Sequence, residues 1–365
     1  MDLYICSTVR HLLFSLYKSQ SSDSNTLSKI IFFYDYQDVD PKSIDTSVLP
    51  KNIELVLVSR KLLVKHIKKN GFLGKYILFC SLRGLSINNN IKNSLTSLIK
   101  EYDNNLDFSC TIKKLYLYNE NNKMSRLFRL LSSSYSMIED GMGNYVEHKV
   151  SSKPKQLLRY LSNRDPKYYV FGEMKQCDDI YAIHPEKLPK SVLHKGKKLV
   201  LSKNKTYTSN IQRCFRFNKS YSLDKKTLII ATQPTFNILK GKLIDNGFFH
   251  EIYDLIISKS RSEGFEPVLK LHPKENESDY LSFKEKGVTF LSNKQPLELY
   301  LLSSTDTVNI ISINSSAGIG MEEYCNIYKL IPDSEVSNFV DIISKLEINK
   351  DSLREIISIQ LSQMT

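Results

Sequence analysis

The sequence predicts an α/β protein of two doubly wound, Rossmann-like domains facing a central cleft. Three observations predict it. Short apolar strands alternate with amphipathic stretches from Leu3 to Ile138, that order lapses between Lys149 and Leu223, and it resumes at Thr227. Strand and helix in alternation imply a mostly parallel sheet covered on both faces. A chain of 365 residues is too long for one ordinary core and suits two. The expected division is an α/β domain over 1–150, a basic interdomain connector over 151–222, a second α/β domain over 223–345, and a closing helix over 346–365 that packs back on the first domain.

In the first domain, Leu3 to Cys6 reads as a strand and His11 to Lys18 as a helix. Lys29 to Tyr34 and Ile53 to Val58 are strands, and Arg60 to Asn70 is a helix. Lys75 to Cys80 reads as a strand, Asn90 to Tyr102 as a helix and Lys114 to Tyr118 as a strand. A helix near Lys123 to Leu131 precedes the last strand, Ser136 to Ile138. The connector carries Pro154, Pro166, Pro185 and Pro189, and one helix is expected there, from Lys153 to Ser162. In the second domain, Thr227 to Ala231, Pro267 to Leu271, Val288 to Leu291 and Val308 to Ile313 are strands. Helices are expected over Phe248 to Ser262, Pro296 to Leu302, from Met321 to Cys325, and over Ser352 to Ser362.

Composition narrows the class. An apolar fraction of 41% with 25% charged residues is that of a soluble globular protein. No segment approaches the roughly 20 apolar residues of a membrane span. Met1 to Cys6 runs directly into a strand with no basic-then-apolar leader, so a cytoplasmic location is expected. Six scattered cysteines form no Cys-x-x-Cys pair, which argues against a metal site or a disulfide framework. The net charge of +12 is concentrated: between Glu186 and Lys226, twelve basic residues stand against two acids. Such a field attracts an anionic membrane surface or a phosphorylated glycolipid. It also describes a solvated basic linker equally well. No nucleic-acid-binding motif accompanies it, so no nucleic-acid partner is expected.

Three short motifs sit where predicted strands stop, which is where open α/β sheets collect ligands. Glu139-Asp140-Gly141 sets two carboxylates beside a glycine, a suitable place for a general base. The structural alternative is a common acidic turn. Lys270-Leu271-His272-Pro273 ends a strand, with Lys270 and His272 on one face by period-two alternation. The proline holds His272 extended, and a histidine there can donate to a phosphate oxygen. Taken singly, it is more often an ordinary polar residue. His184-Pro185 has the same dipeptide but lies in the basic connector, after no clear α/β unit, and is set aside as a false copy. Ser315-Ser316 leads through Gly318 and Gly320 towards an expected helix, where hydroxyls and backbone N–H groups would form an anion site or merely an N-cap.

Two doubly wound domains across a cleft form the architecture called GT-B among glycosyltransferases. In order and spacing, the acid-acid-Gly, His-Pro and Ser-Ser motifs resemble those of bacterial sialyltransferases, in particular the lipooligosaccharide sialyltransferase and α-2,8-polysialyltransferase-like families. Leu3 to Leu12 and Thr232-Gln233-Pro234 resemble further parts of those proteins. The resemblance implies a metal-independent, inverting transfer of sialic acid from CMP-sialic acid to a bacterial surface glycan such as lipooligosaccharide, O-antigen or capsule. A galactose-terminated oligosaccharide or glycolipid is the expected acceptor, and no cofactor is expected. By the same resemblance Asp140 is the base, with Glu139 and Gly141 shaping its loop. His272 grips the CMP phosphate and helps it leave. Ser315 and Ser316 hold the same phosphate, and Glu322 or Glu323 reaches the ribose. Lys270 joins the phosphate site by strand alternation, and Arg10 and His11 end the first strand on the acceptor side. The competing readings are a related transferase using another CMP-activated acidic sugar, and a non-catalytic basic protein that binds nucleic acid or membrane.

Overall fold

The computed structural model describes residues 1–20, 26–108, 110–162, 164–201, 204–217, 223–234, 246–304 and 306–364. It divides into two compact units, Met1–Arg216 and Phe217–Thr365. The first runs β1 (Asp2–Cys6), α1 (Val9–Gln20), β2 (Ser28–Phe33), β3 (Ile53–Val58), α2 (Arg60–Lys69), α3 (Gly71–Arg83), α4 (Asn89–Tyr102), β4 (Lys114–Leu117), α5 (Lys123–Arg129) and β5 (Tyr135–Ile138). It continues with β6 (His148–Lys149), α6 (Lys153–Leu161), β7 (Tyr168–Tyr169), β8 (Cys177–Ala182), β9 (Gly196–Lys198) and α7 (Lys205–Cys214).

Seven of these strands form one parallel sheet in the order β3-β2-β1-β4-β5-β8-β9. β6 and β7 make a small antiparallel pair. The chain leaves β1 towards β2 and β3, then returns to place β4 on the other side of β1. The strand order therefore reverses between β1 and β4, which is where such sheets open a ligand crevice. The strands β1, β2 and β5 are buried along their whole length, as parallel strands covered on both faces must be.

The second unit runs β10 (Thr227–Ala231), α8 (Asn246–Ser262), β11 (Glu266–Lys270), α9 (Leu281–Glu285), β12 (Thr289–Leu291), α10 (Leu297–Leu301), β13 (Val308–Ser312), β14 (Cys325–Lys329), α11 (Phe339–Ile348) and α12 (Lys350–Ser362). Its five parallel strands are ordered β12-β11-β10-β13-β14, so the reversal here lies between β10 and β13. Each unit has its own apolar core, the first around Leu3, Ile31, Leu117 and Met137, the second around Ile230, Leu269 and Ile311.

Three expectations are corrected. Lys75 to Cys80 is not a strand but part of α3, which buries Ile77, Cys80 and Ser81 at helical spacing and ends at Gly84 with φ +68°. A short apolar run does not distinguish the two by itself. The 151–222 segment is not a connector. It supplies α6, β8, β9 and α7 to the first unit, with Ile138 paired to Tyr181 and Ile180 to Gly196. Its prolines misled because Pro154 opens α6 and Pro185 opens a short turn, positions that need no N–H. Lys195 and Lys198 of the basic stretch donate to backbone carbonyls of Gly172, Met174 and Ile183. Lys203 and Lys219 lie outside the described residues. The closing helix α12 sends Leu353, Ile357 and Leu361 into the second unit's core, where it packs on α8 and α11. Met321 to Tyr324 forms a turn that enters β14, so no helix follows Ser315-Ser316. Gly318 and Gly320, at φ +81° and +88°, break any helical run.

Candidate active site

In the first unit the elements at the β1/β4 reversal converge on Asp140. His11, in the first turn of α1, is buried and stacks on Tyr118 with ring centroids 4.0 Å apart. The Ser7 N–H donates to His11 Nδ1 at 3.2 Å, so the neutral ring carries its proton on Nε2. That nitrogen donates to Asp140 Oδ1 at 2.5 Å. The Asp140 N–H donates to Asn144 Oδ1 at 2.9 Å, which fixes the backbone of the same turn. Gly141 sits at φ +130°, a conformation a side chain would strain, and a Cβ there would also lie 3.7 Å from Arg10 Nη1.

Glu139 is the interior member of the acid pair. It is fully buried, and accepts the Ile183 N–H at 2.8 Å, the Tyr145 hydroxyl, and Arg10 Nη2 at 3.5 Å. Its oxygens fasten the end of β5 to the end of β8. Asp140, with its side chain 30% exposed, is the member that a substrate hydroxyl can reach. Burial raises the Asp140 pKa, but His11, Arg10 and the Asn119 side chain outweigh it and the net shift is downward. The charged carboxylate is thus held ready across neutral pH.

The sign of this shift sets a test. A carboxyl whose pKa falls on folding adds stability above its unfolded value of about 3.9, and that contribution is lost as pH drops through the lower folded value. Carbon-13 titration of Asp140 should place its midpoint below that ordinary value. In His11→Phe, which keeps a ring on Tyr118, burial then dominates and the midpoint should move above it. An unchanged midpoint would remove His11 as the controlling group.

In the second unit the ends of β10, β11 and β13 converge. The His272 N–H donates to Thr232 Oγ1 and to Glu275 Oε2, each at 3.0 Å, and the Tyr280 hydroxyl donates to Glu275 Oε1 at 2.7 Å. Glu275 is therefore the clamp that holds the His-Pro turn. The Lys274 N–H donates to His272 Nδ1 at 3.2 Å, which again leaves the proton on Nε2. Burial lowers the His272 pKa, and Lys274 and Lys270 add to that against Glu275. His272 is thus a neutral Nε2–H donor at pH 7. Ser315 Oγ accepts the Ala317 N–H at 3.2 Å, and the Ser315 N–H donates to Ser312 Oγ at 3.0 Å, so Ser315 begins a tight turn with Ser316 exposed beyond it.

Three of the expected residues have other surroundings. Lys270 Nζ donates to the Ser292 and Gln295 carbonyls at 2.6 and 2.9 Å, and burial pulls its pKa down to about 8. It ties β11 to the loop after β12, and its ammonium ion is committed there in place of a phosphate. Glu322 accepts the Gly320 N–H at 3.0 Å, and both Glu322 and Glu323 are exposed on the turn before β14.

Several residues escaped the sequence reading. Gln233, the second residue after β10, is 5% exposed and its Oε1 accepts the Asn314 N–H at 3.1 Å, bridging the β10/β13 reversal. Among the described residues its Nε2 has no hydrogen-bond partner. It is a buried donor between Thr232, which accepts from His272, and Asn314, which precedes Ser315, and the rule that ligands meet the sheet where strand order reverses points to it. His184-Pro185 is not in a connector: it follows β8, which pairs with β5, and the His184 N–H donates to the Tyr145 hydroxyl at 3.1 Å. The ground for setting it aside fails, and the Tyr145 hydroxyl that accepts from it also donates to Glu139.

A family model described as glycosyltransferase family 52 matches residues 83–331, more than half of the chain and a span that contains all three motifs. The chain belongs to glycosyltransferase family 52. No curated protein matches it. Among solved structures, a UGT transferase from Siraitia grosvenorii in complex with UDP aligns at 10% identity and TM-score 0.43, covering 100% of this chain and 95% of that one. Os79 from O. sativa, in complex with U2F and trichothecene, aligns at 9% identity and TM-score 0.43 with the same coverage.

Proposed function

We propose that this glycosyltransferase is an inverting sialyltransferase that moves sialic acid from CMP-sialic acid to a hydroxyl of a bacterial surface glycan, with a galactose-terminated acceptor. The observation that carries the reading is the pairing of Asp140 with buried, tautomer-fixed His11 at the strand-order reversal. Asp140 takes the acceptor proton as the acceptor oxygen bonds the anomeric carbon. The bond from that carbon to the CMP phosphate breaks at the same time, and CMP leaves with its electron pair. His272 Nε2–H donates to the departing phosphate oxygen, with the Ser315-Ser316 turn beside it. A monophosphate leaving group develops modest charge, so these neutral donors replace a metal ion in this reading. The acid-acid-Gly, His-Pro and Ser-Ser set supports the CMP-sugar assignment.

The test is CMP release from CMP-sialic acid with a galactose-terminated acceptor, with and without EDTA. Consumption of a different CMP-sugar but not CMP-sialic acid would move the donor to another acidic sugar. Loss of turnover in EDTA would remove the metal-free mechanism. His272→Ala should weaken CMP binding roughly 10- to 100-fold, the worth of one hydrogen bond to a charged group. Calorimetric titration that shows wild-type affinity would take His272 out of the phosphate grip.

A further inference from the structure

The first unit holds a cavity whose wall contains none of the candidate site residues. Its volume is about 690 Å³, within the range of small-molecule sites. The carboxyl end of α3, the segment after β4, α5 and α6 line it. Six of its cations are Arg83, Arg126, Arg129, Lys149, Lys155 and Arg164. The two acids in the wall are already engaged within the protein. Glu120 accepts the Tyr135 hydroxyl and the Gly172 N–H, and Glu173 pairs with Arg159. Arg83, Lys149 and Lys155 are exposed.

Two of the helices that reach this cavity, α3 and α6, also carry unburied apolar side chains. On α3, Phe72 is 86% exposed, and Phe79 and Leu82 are exposed with it. On α6, Leu158, Tyr160 and Leu161 are exposed, Leu161 at 70%. Leu82 and Leu158 belong to the cavity wall itself, so the apolar flanks and the basic hollow are one surface. Exposed apolar residues around a cationic centre match a bilayer interface, with acyl boundary at the flanks and an anionic headgroup in the middle. A second copy of the chain fits poorly, because a two-fold contact would set these cations against themselves.

We propose that α3, α6 and the cavity between them form a membrane-docking surface that takes the phosphate of an anionic lipid headgroup. Apolar side chains of both helices enter the interface, and Arg83, Lys149 and Lys155 meet the headgroup. This surface, not the Glu186–Lys226 stretch, is the one that meets the membrane, and it is independent of which sugar is transferred.

Co-sedimentation with phosphatidylcholine vesicles, with and without phosphatidylglycerol, tests it at low and high salt. The wild-type chain should bind only the phosphatidylglycerol vesicles, and less at high salt. Arg83→Glu with Lys155→Glu should weaken that binding by at least about tenfold. Phe72→Ser with Leu161→Ser should weaken it too, including the part that survives salt. Both pairs replace exposed side chains, so melting temperature and transfer to a water-soluble acceptor should stay at wild-type values, and either pair alone decides. Lys190→Glu with Lys197→Glu should stay within twofold of wild type. Three results would each overturn the proposal: no wild-type binding to phosphatidylglycerol vesicles, loss confined to the Lys190/Lys197 variant, or a Phe72/Leu161 variant that binds vesicles normally but loses a dimer in sedimentation.

Discussion

Asp140→Asn should lower turnover by roughly 10²- to 10⁴-fold, the usual worth of a positioned general base, while CMP affinity stays at its wild-type value. The amide oxygen can still accept the His11 Nε2–H, so the geometry built around Asp140 survives and only its capacity to take a proton is lost. Because His272 and the Ser315-Ser316 turn belong to the other unit, nucleotide binding is read separately from chemistry. Steady-state rates paired with calorimetric CMP titration check both halves. A variant that turns over at the wild-type rate would remove Asp140 as the base. A wild-type chain with no transferase activity would instead favour a protein that binds without reacting.

Glu139→Ala should behave differently, lowering the stability of the first unit by about 3–5 kcal/mol, as when one member of a buried charged network is removed. The loss leaves the Tyr145 hydroxyl and the Ile183 N–H without that acceptor, and removes the buried carboxylate that Arg10 Nη2 reaches at 3.5 Å. The end of β5 then loses its fastening to β8. Urea denaturation followed through tyrosine fluorescence should show an earlier midpoint. If stability is unchanged and only turnover falls, Glu139 is the reacting acid and the roles of the pair are reversed.

The strands that carry the sites were legible because each is a compact apolar run with clear punctuation, as in Thr227-Leu228-Ile229-Ile230-Ala231 before Gln233-Pro234. Parallel strands buried on both faces leave that signature. β8 did not, because Cys177-Asp178-Asp179-Ile180 carries two acids, with Asp178 exposed, near the edge of the sheet. The partners that tune the site were also hidden. Asn119, Tyr145 and Glu275 act across folded distance; Thr232 and Glu275 meet over a separation of 43 residues. A local pattern holds no trace of such a meeting. Lys270 shows the converse: strand alternation put it on the face of His272, yet two carbonyls beyond β12 claim its ammonium ion.

The amide of Gln233 has a thermodynamic consequence of its own. A buried donor without a partner is a standing penalty of about 1–3 kcal/mol, carried by the second unit whenever nothing occupies the end of β10. A ligand that accepts from Nε2 removes the penalty, so part of its apparent affinity is relief of frustration in the empty fold. Under the proposed function the sugar donor is such a ligand, and Gln233→Leu should then raise stability while weakening donor binding.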